Sequence, residues 1–146
     1  DSFKIQGQIA KEKTITLAQL DNLSKSDIKN IIIYNHNGEP KDTIKNIKGV
    51  ALKTVLEDTQ FNYEKPKELN EFYFVFSASD GYKVVFSWNE IYNTEAGNQM
   101  YFITEMNGKK AKDLEQRVLF ISASDLKSGR RYIKALDKIE VRRIAE

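Results

Sequence analysis

No cysteine occurs anywhere in the chain. That one absence excludes disulfides, thiolate-held zinc, iron–sulfur clusters and cysteine nucleophiles together, and leaves the redox compartment open. A single histidine, His36, excludes any site that needs two imidazoles. No apolar run approaches the roughly 20 residues that a membrane-crossing helix requires. Charge of one sign is scarce as well. The formal net charge is +2, and the lysines are interleaved with acids, so no basic groove for nucleic acid can be read. The neighbouring acids Glu57 and Asp58 lack the spacing of a calcium loop. Ser122, Ser124 and Asp125 have no histidine near them in sequence to make a serine nucleophile. Two prolines and seven glycines, with no repeat or low-complexity tract, point to one compact domain over 1–146 without a linker. The chain opens at Asp1 with neither an initiator Met nor a signal peptide, which fits a mature exported or periplasmic chain and a trimmed one alike.

What the chain does have is a concentration of aromatic and β-branched residues over Phe72–Trp88. Two such runs flank Asp80-Gly81, a short-range hairpin signal that suggests a tight primed turn. Phe72, Phe74 and Phe76 share one face of the first strand, with Tyr73, Val75 and Ser77 on the other. Both faces are largely apolar, so the hairpin is expected deep in a sheet, covered on both sides, with Phe74, Phe76, Val84 and Phe86 in the core. Trp88 is read as a core residue.

Around it, Ser2–Ile9 alternates as a half-buried strand, and Ala10–Lys13 is a polar turn. Thr16 with Gln19 forms a capping box for a short helix that turns Leu17, Leu20 and Leu23 to the core. Ile28–Tyr34 reads as a strand, Asn35–Pro40 as a loop that polar residues extend to Lys48, and Gly49–Leu52 as the opening of a helix continued by Val55 and Leu56. Pro66 sits in a polar connection. Ser87 and Glu90 form a second capping box, Met100–Glu105 a strand, and Asn107-Gly108 a second hairpin turn. Arg117–Ser122 is a buried strand, Ser124–Arg131 a polar loop, and Tyr132–Ile144 one or two short final strands. Many short strands with few short helices argue for an α+β fold, mostly antiparallel, as a mixed sheet or barrel.

The order of these features resembles the molybdopterin-binding domain of the sulfite oxidase family. The resemblance rests on Gly7 in the opening strand, the Thr16–Leu23 helix, and Lys48-Gly49-Val50-Ala51-Leu52 with Val55-Leu56. It continues through Ser79-Asp80-Gly81-Tyr82, Phe86-Ser87 with Glu90-Ile91, Asn107-Gly108, Gly129–Lys134 and Ile139-Glu140-Val141. It implies a molybdenum–pterin cofactor in a pocket, with the metal held by a cysteine thiolate from the loop that here is Asn35–Lys48. That loop holds no cysteine, and Asn35, His36 and Asn37 offer no soft donor in its place. The expectation is therefore a non-catalytic protein without cofactor that binds a small anionic ligand or a protein partner. The alternative is a degenerate molybdopterin-dependent oxidoreductase subunit, and a third reading is an adaptor that uses an exposed strand edge. Arg130, Arg131 and Lys134 match the basic motif that lies near the pterin phosphate in the family. With His36, Asp80 and Tyr82 they make the expected ligand-binding set, at the junction of Asn35–Gly38, Asp80–Tyr82 and Gly129–Lys134. The competing reading of the three cations is a solvated loop and strand face, and that of His36 an exposed loop histidine.

Overall fold

The computed structural model describes residues 1–144. Strand β1 (Ser2–Gly7) pairs antiparallel with β2 (Lys13–Thr16), so the Ala10–Lys13 turn connects two strands. Thr16 then caps α1 (Leu17–Asp21): its hydroxyl accepts from Gln19 N at 3.1 Å, and the Gln19 side chain accepts from Thr16 N at 2.8 Å. Leu20 is buried, while Leu17 and Leu23 pack partly buried against the same core.

The expected second strand is two. β3 (Ser26–Ile28) and β4 (Ile31–Tyr34) are separated at Lys29-Asn30 and belong to different sheets. The stretch expected to be loop is also largely strand. β5 (Pro40–Ile44) forms a two-stranded hairpin with β4, and β6 (Ile47–Ala51) runs where the helix was expected to open. Only Leu52–Val55 is helical (α2). β5 escapes a reading by alternation because only Ile44 of its five residues is buried. Gly49 cannot start a helix because it sits in a β-ladder with its backbone against β9, where a Cβ would lie 2.7 Å from the Phe102 carbonyl oxygen.

The aromatic hairpin is β7 (Phe72–Ala78) with β8 (Lys83–Ser87), followed by α3 (Trp88–Tyr92) behind its Ser87/Glu90 capping box. Its turn differs from the primed two-residue form. Gly81 N donates to the Ala78 carbonyl at 3.0 Å, and Gly81 at φ 93° is the only residue of the turn with positive φ. This is a three-residue loop closed by a left-handed glycine. β7 lies inside its sheet and is buried on both faces. β8 is an edge strand with Lys83, Val85 and Ser87 exposed, so the hairpin is covered on both sides along β7 alone.

β9 (Met100–Met106) turns through Asn107 (φ 52°) and Gly108 (φ 79°), both left-handed as a primed turn demands, into the two-residue β10 (Lys109–Lys110). β11 (Leu119–Ser122) follows, and Leu136–Arg143 forms one eight-residue strand, β12.

The first sheet has the order β2-β1-β12-β7-β8, with β12 parallel to β1 and antiparallel to β7. The second has β10-β9-β6-β3, with β11 also on β9. Phenylalanines join the two: Phe76 to Phe120 at 4.7 Å between ring centroids, Phe102 to Phe120 at 5.0 Å and Phe3 to Phe102 at 4.9 Å. Ile103, Leu119 and Ile121, one residue out of phase with Phe102 and Phe120, form a second cluster with Ile31, Ile33, Ile44 and Ile47. That cluster fastens the β4–β5 hairpin onto the second sheet. Phe74, Phe76, Val84 and Phe86 are all buried, as expected, and Trp88 packs partly buried on the main core.

Gly7 is sterically fixed. At φ 106° it lets β1 leave the sheet, and a Cβ there would sit 2.2 Å from the Val141 carbonyl oxygen. We expect Phe76→Ala to lower stability in urea unfolding by about 3–5 kcal/mol. Val85→Thr on the exposed edge should change it by less than about 0.5 kcal/mol. Equal effects at the two positions would contradict this assignment of core and edge.

Candidate functional site

A cleft of about 250 Å³ opens where the β4–β5 hairpin, the β7–β8 turn and the segment leading into β12 meet. His36 and Tyr34 come from the first, Asp80 and Tyr82 from the second, Tyr132 and Lys134 from the third, and Lys41 and Asp42 of β5 complete the wall. Four of the six expected residues, His36, Asp80, Tyr82 and Lys134, therefore line one cleft. Stretches nearly a hundred residues apart in sequence are its walls.

The walls are held mainly by side chains that bond main-chain groups across them. Tyr82 hydroxyl donates to the Arg130 carbonyl, and Arg130 Nη2 donates to the His36 carbonyl at 3.0 Å. Ser128 is buried and works both ways: its hydroxyl donates to the Ile32 carbonyl at 2.7 Å and accepts from Tyr34 N at 3.2 Å. Gly129 lies so close to β4 that a Cβ would fall 2.1 Å from the Tyr34 carbonyl oxygen. Ser79 N donates to the Ala135 carbonyl at 2.9 Å, and Ala135 holds φ 54°, a left-handed conformation that costs a non-glycine residue on the order of 1 kcal/mol. Arg130 is thus a strap between two walls, outside the lining, with its guanidinium spent on a carbonyl.

Arg131, expected in the ligand set, does not line this cleft and is engaged elsewhere. Its Nε and Nη2 grip both oxygens of Asp125 at 2.7 and 2.9 Å, and its Nη1 meets Glu90 at 2.8 Å. The guanidinium also lies 4.3 Å from the centroid of the Phe86 ring and reaches the Val85 carbonyl on the open edge of β8. Asp125 in turn accepts from Ser122 at 2.8 Å. The planar fork of arginine matches a carboxylate at two points, so a partly buried Asp125 captures it. The Ser122 and Asp125 pair noted in sequence has this structural use.

Within the cleft, Lys41, Lys134, Asp42 and Asp80 make no ion pair among the described residues. Asp80 accepts from Tyr82 N at 3.0 Å and Asp42 from Thr43 N at 2.8 Å, which fixes both carboxylates in place. The Lys134 ammonium stands 5.5 Å over the Tyr132 ring. Tyr132 donates to Met106 Sδ at 3.6 Å, and burial, helped by the nearby Asp42 charge, pushes its phenol up to about 12. The cleft therefore offers two free ammoniums, an imidazole, two anchored carboxylates and three phenolic rings. Lys41 and Asp42 lie in the stretch that the sequence marks only as polar loop, and Tyr34 ends an expected strand with no signal of its own, so none of the three is marked as a site residue in sequence. The one signal of the hairpin that presents them was Asn35 followed by Gly38, whose φ of 84° closes the turn.

No family model matches the sequence, and no curated protein does. Among solved structures the chain is similar to the sulfane dehydrogenase SoxCD from Paracoccus pantotrophus, with a TM-score of 0.67 at 12% identity. The match covers 96% of this chain and 37% of that one, so the present chain spans little more than a third of that protein's chain. At this identity the likeness shows the fold: mostly strands in open sheets, with a few short helices.

Arg131→Ala should cost about 2–3 kcal/mol, the worth of charge-assisted bonds in a sheltered site, with Arg131→Lys recovering only part. Arg130→Ala should cost under about 0.5 kcal/mol, since that side chain is exposed. Denaturant midpoints of the three variants check this, and equal losses would contradict it. Burial also pushes the Tyr92 phenol up to about 12, as for Tyr132, from an ordinary 10.0. Above pH 10 the unfolded chain releases these protons while the folded one keeps them. Stability should therefore be complete below pH 10 and fall as the pH rises to 12. Tyr92→Phe with Tyr132→Phe should flatten that slope in urea unfolding, and an unchanged slope would contradict it.

Proposed function

We propose that this chain is a non-catalytic binding domain built on a fold of the sulfite oxidase molybdopterin-domain type, and that it takes a small anionic ligand in the cleft between the β4–β5 hairpin, the β7–β8 turn and the Gly129–Lys134 segment. The observation that carries this reading is the convergence of His36, Lys41, Lys134 and three tyrosines on one cleft whose walls are already tied together. Lys41 and Lys134 hold the anionic group. The rings of Tyr34, Tyr82 and Tyr132 give its body a surface to pack on, and Asp42 and Asp80 accept from any donor it carries. At about 250 Å³ the cleft lies just below the usual range for small-molecule sites, roughly 300–1,000 Å³, so the ligand is small. Both lysines are exposed, which limits each contact to about 1 kcal/mol, so the pair contributes about 2 kcal/mol and binding is weak, in the millimolar range or above.

The order of sequence motifs and the similarity to a sulfane dehydrogenase keep a second reading alive, a molybdopterin-dependent oxidoreductase subunit. The residues present do not fit a thiolate-held metal. The chain has no cysteine, and no group of three or more His, Asp or Glu is placed to hold a metal among the described residues. The stretch that would supply the thiolate is a polar β-hairpin.

Titration with inorganic phosphate and phenyl phosphate, followed by thermal shift, tests the proposal. Both ligands should stabilise the protein, less so at high salt. Lys41→Ala and Lys134→Ala should each weaken binding at least threefold, and the double variant should abolish it. Binding that ignores both lysines would contradict the proposal. So would one equivalent of molybdenum per chain in protein from a molybdenum-replete host, which would favour the oxidoreductase reading.

A further inference from the structure

A second cavity, of about 290 Å³, shares no residue with the cleft. It lies between α1, which contributes Leu17, Ala18 and Asp21, and the β9–β10 hairpin with the turn after it, which contributes Thr104, Lys110, Ala111 and Lys112. Its wall is mostly carbon, and it is more enclosed than the cleft.

The polar groups around it divide into those already used and those left over. The Thr104 hydroxyl donates to the Lys48 carbonyl at 3.1 Å, so it is spent inside the sheet. The Asp21 carboxylate, at the end of α1, has Lys25 Nζ at 3.5 Å from the connection that follows, so it already has a cation of its own. Lys110 and Lys112 are different. Neither makes an ion pair or a side-chain hydrogen bond among the described residues, although Lys110 stands opposite Glu105 in the β9–β10 register. An apolar hollow is thus bordered by two free ammoniums, with its one acid already paired.

We infer that this cavity is a binding site for a small amphipathic carboxylate, whose apolar chain fills the hollow of Leu17, Ala18 and Ala111 while its head meets Lys110 and Lys112. The charge arrangement selects this occupant. A neutral apolar molecule would leave both ammoniums unused, and a fully polar anion would leave the carbon wall wet. Desolvation of the chain drives entry, and the lysines, with long flexible stems, close over the head group. The site does not depend on the cleft proposed above.

Octanoate is the probe, with octanol as its neutral counterpart, followed by amide chemical shifts of the intact chain. Octanoate should give saturable shifts centred on Leu17, Ala18, Thr104 and Ala111. Octanol should bind at least fivefold more weakly. Ala18→Phe places a ring in the cavity from an exposed helix position, so it should remove binding without affecting the fold. Lys110→Ala with Lys112→Ala should weaken octanoate at least fivefold and leave octanol unchanged. Shifts that fail to saturate, that gather at the cleft of Lys41 and Lys134, or that survive Ala18→Phe overturn the site. Equal binding of octanol and octanoate overturns the assignment of an anionic occupant.

Discussion

The seating of β12 between β1 and β7 is the constraint on which the rest of the structure depends. It sets the last strand parallel to the first and antiparallel to the aromatic strand, so the two ends of the chain and its most apolar segment become one sheet. Ile139 and Val141 put their side chains into the core that Phe74 and Phe76 share. The segment before β12 must then cross from the second sheet to the first. Main-chain bonds between Phe120 and Ile133, at 2.8 and 2.9 Å, fix where that crossing starts. Lys134 and the left-handed Ala135 fix where it ends, and the cleft forms along the crossing.

Two adjacent arginines on that segment have opposite fates for a physical reason. Arg131 meets a partly buried carboxylate in bidentate geometry and an aromatic face, which together outweigh any solvent-facing alternative. Arg130 meets only a carbonyl at the surface. The first therefore locks the crossing to α3 and the β8 edge, where it also covers one free carbonyl of an otherwise open strand. The second only ties its own segment to the turn of the β4–β5 hairpin. Sequence spacing alone treats the pair as equivalent, and only the positions of Asp125 and Glu90 separate them.

The parts of the fold legible in sequence are those that local rules decide. The capping boxes at Thr16 and Ser87 are satisfied by residues three positions on, and Asn107-Gly108 carries its own positive φ. The Phe72–Phe76 alternation suffices to put a strand in the core. The parts that were not legible depend on partners far along the chain. β5 is polar because it is the outer strand of its hairpin and buries only Ile44, while Ile31 and Ile33 of β4 supply the rest of the anchor. β6 is a strand because β3 and β9 flank it, whatever Gly49-Val50-Ala51-Leu52 prefers locally. The cleft was half legible for the same reason: its turn and its basic segment are marked by glycines and charges, while Lys41, Asp42 and Tyr34 reach it only through that hairpin.

Main-chain bonds such as Ser79 N to the Ala135 carbonyl and the pair between Phe120 and Ile133 join the walls of the cleft, and the binding function proposed above requires that they hold with nothing bound. Native-state hydrogen exchange on metal-free protein tests this most directly. The amides of Ser79, Phe120, Ile133 and Leu136 should exchange only through global unfolding, with the same denaturant dependence as the core amides of β7 and β12. Fast exchange of Ser79 and Ile133 through local opening, while β7 and β12 stay protected, would contradict the account and mean that the cleft takes shape only around something bound.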